Sequence, residues 1–179
     1  MARKIIQLAD APTVVEDSFQ RVDDDAALPD GDVLVSLARF LSEGDALRAR
    51  RGNVGVVVPG HTELEALRPI LDEVSLLALE FPKFTDGRGY STARLLRENA
   101  GYSGELRAVG DVLRDQLFYM ARCGFNSFAL REDQNLDEAL IALEEFSVTY
   151  QAAVDEARPI YRRAADEAES STEQDDARS

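Results

Sequence analysis

The residues of this chain best suited to chemistry lie in one stretch, Phe81-Pro82-Lys83-Phe84-Thr85-Asp86-Gly87-Arg88-Gly89-Tyr90-Ser91, which leaves a strand-like run and enters a helix-like one. Gly87 and Gly89 let the backbone turn tightly and approach a ligand closely. A helix beginning near Ser91 presents unpaired amides and the positive end of its dipole, an arrangement suited to an anion. Lys83, Arg88 and Arg94 add cationic donors, Arg88 with a bidentate fork. Together with Asp86, these residues form a candidate site for a small oxyanion such as phosphate, sulfate or a carboxylate. The competing reading is structural: Asp86 pairs with Arg88 or Arg94, and the glycines only make a turn.

A second cluster follows Val109-Gly110. Asp111, Asp115, Phe118 and Arg122 recur at helical spacing with Arg114 beside them. They read either as a solvated face with Asp111 as the helix cap, or as a surface for a partner protein to which Phe118 and Tyr119 lend aromatic area. His61 and Cys123 are the only histidine and the only cysteine. An intrachain disulfide and a thiolate metal cage are therefore ruled out, and a His-dependent mechanism would have to use His61 alone. His61 reads as an ordinary surface histidine. Cys123, at a helix C-terminus, reads as an inert core residue. No phosphate-loop, dinucleotide or zinc-hydrolase motif occurs, so no cofactor and no metal is expected.

The elements that must position these residues alternate regularly from Asp32 onward. Asp-Val-Leu-Val-Ser-Leu, Val54–Val58, Val74–Phe81, Glu105–Gly110 and the Phe125–Leu130 run read as short apolar strands, each followed by a helix-length spacer. Thr62 and Glu65 have the spacing of a capping box, and Ser91, Asp111 and Asn135 are placed to cap later helices. Such an alternation predicts an α/β domain with a mostly parallel sheet. An open doubly wound order is the first expectation and an incomplete TIM-like barrel the alternative. Three regions are expected: an N-terminal β-ribbon over 1–31, the α/β domain over 32–151, and an acidic, partly disordered tail over 152–179.

The chain has 179 residues, 45% hydrophobic and 30% charged, with a formal net charge of −14. These values belong to one globular domain and oppose general binding of nucleic acid, whose phosphates the acidic field repels. No apolar run reaches the roughly 20 residues of a membrane span, and the start lacks a signal-peptide pattern, which makes the cytoplasm the default location.

The string from Leu77 to Leu130, with DGRGYS and ARLLR, then GELRAVGDVLRDQ, then RCGF, resembles the bacterial family called domain of unknown function 934, as does EEFSVTYQ after it. The motif members here are Phe84, Asp86, Gly87, Arg88, Ser91, Arg94, Arg97, Arg107, Gly110, Asp111, Asp115 and Arg122. The resemblance implies a role in assimilatory sulfate and sulfite reduction, beside the sulfite reductase haemoprotein. Family members are often labelled oxidoreductases without a demonstrated reaction, and the family supplies no catalytic residue to transfer. Two readings therefore stand beside an accessory role with that reductase. One is a protein or enzyme that binds sulfite, sulfate or phosphate through the DGRGYS loop. The other is a structural or interaction module without catalysis.

Overall fold

The computed structural model describes residues 3–9 and 11–144. Among them are eight strands: β1 (Lys4–Leu8), β2 (Pro12–Glu16), β3 (Phe19–Arg21), β4 (Asp32–Ser36), β5 (Val54–Pro59), β6 (Leu76–Phe81), β7 (Glu105–Gly110) and β8 (Ser127–Phe128). The helices are α1 (Leu37–Ala49), α2 (Leu64–Leu67), α3 (Arg88–Glu98), α4 (Leu117–Arg122) and α5 (Leu136–Glu144). All eight strands join one mixed sheet in the order β2-β1-β8-β7-β6-β5-β4-β3. From β3 to β8 neighbouring strands are parallel, whereas β1 pairs antiparallel with both β8 and β2.

This order corrects the doubly wound expectation. Such a sheet reverses its strand order so that helices cover both faces, but here β3 to β8 follow the chain without reversal. The packing gives the reason. Phe40, Leu47, Leu67, Ala93, Leu96, Leu117, Met120 and Ala139 of the helices all join one cluster with Val35, Val56, Leu77, Leu79, Leu106 and Phe128 of the strands. The opposite face gathers Ile5, Leu34, Val57, Leu76, Ala78 and Val109 from strands, with Ala129 just after β8, Val15 and Phe19, and no helical residue. With helices on one face only, the sheet curls into a half-barrel, as the incomplete-barrel alternative anticipated.

The β1–β2 hairpin has the ribbon form read from the sequence, with Ile5 opposite Val15, and it is hydrogen-bonded into the main sheet through β8. β2 and β3 form the two edges of that sheet, yet only Asp17 and Ser18 separate them. Such a link spans at most about 11 Å, so the curling brings the edges together. Arg107, 2% exposed in the middle of β7, meets this crossing. Its Nη1 donates to Asp17 at 2.8 Å, its Nη2 to Glu105 at 2.7 Å and its Nε to Ser127 at 3.2 Å, while the Phe19 ring lies 5.4 Å from the guanidinium carbon.

Several caps differ from the sequence reading. Ser36 starts α1 by accepting the Arg39 amide at 3.0 Å. Thr62 makes no capping box: its hydroxyl donates back to the Pro59 carbonyl at 2.7 Å, and α2 begins two residues later without a side-chain cap. Asn135 caps α5 as expected, its Oδ1 accepting the Asp137 amide at 2.9 Å. The anticipated tail over 152–179 lies outside the described residues. Among the described residues no helix is long and apolar enough to cross a membrane.

Candidate functional site

In a parallel α/β sheet, loops leaving the carboxyl ends of strands are the usual place for function. The loop after β6 is built on Phe81, which is 1% exposed and whose ring lies against α3. A Cβ at Gly89 would come within 2.6 Å of that ring. The second glycine of the DGRG motif thus serves helix-on-ring packing, whereas the sequence reading gave it to close approach of a ligand.

The carboxylate of Asp86 takes up the Arg88 donors proposed for an oxyanion. Asp86 Oδ1 accepts from the Arg88 backbone N–H at 3.2 Å and from its Nε at 2.9 Å, and Oδ2 accepts from Nη2 at 2.7 Å. These bonds hold the Asp86 carboxyl at about 2, below the ordinary carboxylate range. The helix begins at Arg88 with Gly87 as its N-cap, so Ser91 lies inside the helix and is not its cap. Arg94 Nε donates to Glu98 at 2.8 Å, one turn along. Lys83 is exposed, and its carbonyl accepts the Asp86 N–H at 3.0 Å. Asp86 and Arg88 are therefore brought together, and Arg94 has its own carboxylate.

The second cluster is rearranged more deeply. Asp111 lies in a loop and not on a helix, because Val112 is fully buried and Leu113 extended ahead of a 3₁₀ turn over Arg114–Gln116 and then α4. Asp111 becomes a brace: Oδ2 accepts the Phe84 N–H at 2.9 Å and Oδ1 accepts Arg131 Nη1 at 2.8 Å. Gln116 Nε2 donates to the Phe84 carbonyl at 2.7 Å. Both backbone groups of Phe84 are thus fixed while its residue surface stays 50% exposed. Arg114 pairs with Glu138 at 2.8 Å and lies 3.5 Å from Asp115, which is exposed. Phe118 is half-buried with the Arg122 guanidinium 6.0 Å over its ring. The predicted stripe therefore survives as the Phe118–Arg122 and Arg114–Asp115 pairs, without Asp111.

An aromatic ladder runs from the core to this surface. Phe125 lies 5.9 Å from Phe81, Phe81 5.5 Å from Tyr90, and Tyr90 5.1 Å from Tyr119, which is 58% exposed. Burial raises the Tyr90 hydroxyl above its usual range. Tyr119 sits one position off the stripe read from the sequence. The available signal was the pair Phe118-Tyr119, of which only one ring can face inward on a helix. His61 is exposed beside Asp86, whose carboxyl it helps to lower, and Cys123 is buried as expected. Among the described residues no three His, Cys, Asp or Glu side chains group as metal ligands.

The ion pairs of this surface carry a pH signature. Asp133, held by Arg131 at 2.6 and 2.7 Å, is also lowered to about 2. A depressed folded-state pKa contributes stability that is present above the unfolded value, about 4, and is lost as pH falls through the folded one. The melting temperature is expected to fall between about pH 4 and 2, and Asp86→Asn and Asp133→Asn should each flatten that fall. Profiles that superimpose on the wild type would exclude these two pairs as contributors.

No curated protein matches the chain. The family model described as "Bacterial protein of unknown function (DUF934)" matches residues 55–161, a span that begins in β5 and takes in the DGRGYS loop, the Asp111 brace and the aromatic ladder. With most of its length inside that match, the chain belongs to the DUF934 family.

Proposed function

We propose that this chain is an accessory protein of assimilatory sulfite reduction that docks on the sulfite reductase haemoprotein, with the Phe84–Tyr119 surface as its contact. The partner comes from what the family resemblance implies, and the surface from the geometry. The observation that carries the reading is that Phe84 and Tyr119 are half or more exposed and yet held in place. Phe84 has both backbone groups bonded, and Tyr119 rests on Tyr90, which rests on Phe81. Exposed aromatic rings that lose little freedom on binding are what interface hot spots require. Phe118 and Arg122 share α4 with Tyr119, and Arg94 shares α3 with the Tyr90 beneath it; arginine is enriched in such contacts.

The oxyanion reading through Lys83, Asp86, Gly87, Arg88, Ser91 and Arg94 has less support, because Asp86 occupies the amide and fork of Arg88, and Glu98 occupies Arg94. An anion there would first have to displace a carboxylate. The docking reading assigns no catalytic residue to the chain.

Affinity capture on the tagged full-length chain, from cells growing on sulfate, tests the proposal. The wild type should retain the haemoprotein. Phe84→Ser and Tyr119→Ser should each lose at least about tenfold in recovery while changing stability by no more than about 1.5 kcal/mol, the scale of the aromatic contact that Tyr119 gives up on Tyr90. A wild type that retains no haemoprotein, or variants that retain it equally, would contradict the proposal.

A further inference from the structure

Both backbone groups of Phe84 are bonded to residues outside its own loop, Asp111 and Gln116 in the stretch after β7. Asp111 is brought there by the glycine before it. Gly110 turns the chain at φ +93°, where a Cβ would stand 2.4 Å from the Phe81 carbonyl oxygen, and that same oxygen accepts the Asp111 N–H at 2.8 Å. The carboxylate is then gripped from its far side, where Oδ1 accepts Arg131 Nη1 at 2.8 Å. Arg131 stands in the loop after β8. The rest of its fork, Nε and Nη2, lies on the two oxygens of Asp133 at 2.6 and 2.7 Å, and its backbone N–H donates to the Val112 carbonyl at 3.1 Å. The loops after β6, β7 and β8 are thereby joined in one line of bonds, Asp133 to Arg131 to Asp111 to Phe84.

The Arg131 side chain is 44% exposed and that of Asp111 22%. Ion pairs so open to solvent contribute little to global stability. What they fix is direction. A carboxylate that accepts one N–H with one oxygen is free to turn unless its second oxygen is also held, and a guanidinium fork locked by another carboxylate holds it at a defined angle. We infer that Arg131 is a positioning residue for the docking surface: acting through Asp111, it fixes the backbone of Phe84 and so sets how strongly that exposed ring meets a partner. A ring ordered beforehand loses less freedom on binding, so loosening its backbone weakens docking without removing any contact. Gln116 holds the other side of Phe84 through a neutral bond, so loss of Arg131 loosens the residue without releasing the loop. The consequence for docking rests on the reading proposed above, whereas the effect on the Phe84 backbone does not.

Hydrogen exchange of the Phe84 backbone amide, followed by NMR on the isotope-labelled full-length chain, tests the assignment with no partner present. Arg131→Gln should speed that exchange at least about tenfold and leave the slowest amides of β6 and β7 unchanged. Asp111→Asn keeps an oxygen for the Phe84 N–H but loses the pair with Arg131, and should speed exchange by a similar factor. Adding Arg131→Gln to Asp111→Asn should then change nothing further, because the two residues act in series. Arg131→Lys keeps a charge for Asp111 without the fork on Asp133, and should restore part of the protection. Titration with the sulfite reductase haemoprotein should show binding weakened at least about fivefold by Arg131→Gln alone, and not by Arg131→Gln in the Asp111→Asn background. Unchanged exchange at Phe84 in Arg131→Gln would overturn the inference, and so would faster exchange throughout the sheet, which marks a general loss of stability. A loss of affinity that persists in the Asp111→Asn background would overturn it too, since Arg131 would then touch the partner directly. A wild type that binds no haemoprotein would remove the docking reading, and the exchange measurement would still decide what Arg131 does.

Discussion

Replacing Arg107 with leucine is expected to lower stability by about 3–5 kcal/mol, the usual cost of removing one partner from a buried ion cluster. Arg107 and Asp17 are both nearly buried, and Glu105 is about one-fifth exposed. Loss of the guanidinium would leave the Asp17 carboxylate beside the apolar concave face with only the Phe19 N–H, at 3.1 Å, to satisfy it. The consequence reaches beyond one pair. Asp17 sits in the two-residue link that joins the opposite edges of the sheet, so the cluster ties that link to the middle of β7. Chemical denaturation would show the loss as a lower midpoint. Replacing Arg107, Asp17 and Glu105 together by apolar residues of similar volume should recover much of it, because the desolvation cost of all three charges is then removed. A single variant as stable as the wild type would show that the cluster does not hold the sheet closed.

The second large effect is expected at Arg97. Its half-buried guanidinium donates to three carbonyls, those of Gly124 at 2.9 Å, Gly104 at 3.0 Å and Tyr102, and stands 5.5 Å from the Tyr102 ring. These carbonyls belong to the turn after α4 and to the approach to β7, two segments that the Arg97 side chain ties to α3. Desolvation lowers the guanidinium's pKa without approaching neutrality, so the group stays charged. Arg97→Ala should destabilise the fold by about 3 kcal/mol, since hydrogen bonds to a charged donor are worth roughly 1.5–3 kcal/mol each and water replaces part of them. Arg97→Lys should recover little, because one ammonium cannot reach three carbonyls held in a planar fork. Thermal unfolding of the two variants checks both statements, and full rescue by lysine would contradict the geometric argument.

The strands from β4 onward were readable because Val54–Val58, Leu76–Phe81 and Glu105–Gly110 are apolar runs of strand length, buried on both sides. Which face the helices take is a property of successive crossovers, and a residue pattern does not encode it. The half-barrel was therefore only an alternative to the doubly wound order. Local caps misled where a side chain had a nearer acceptor, as the Thr62 hydroxyl does in the Pro59 carbonyl. The charged loop was located correctly, but its internal pairing was not decided. Asp86 and Arg88 lie two residues apart, close enough for either to serve the other or a ligand. Arg107 was read only as one member of the family motif. The clue was Glu105 two positions earlier, which in a strand places both side chains on the same face. Asp111 was assigned to a helix because its spacing from Asp115, Phe118 and Arg122 is helical, but burying Val112 breaks that helix before it begins.

The docking proposal is tested most directly by titrating purified sulfite reductase haemoprotein into the purified full-length chain in a calorimeter. Saturable binding is predicted for the wild type, with binding lost in the Phe84→Ser and Tyr119→Ser double variant. No heat of binding with the wild type, or the same affinity in the double variant, would contradict it.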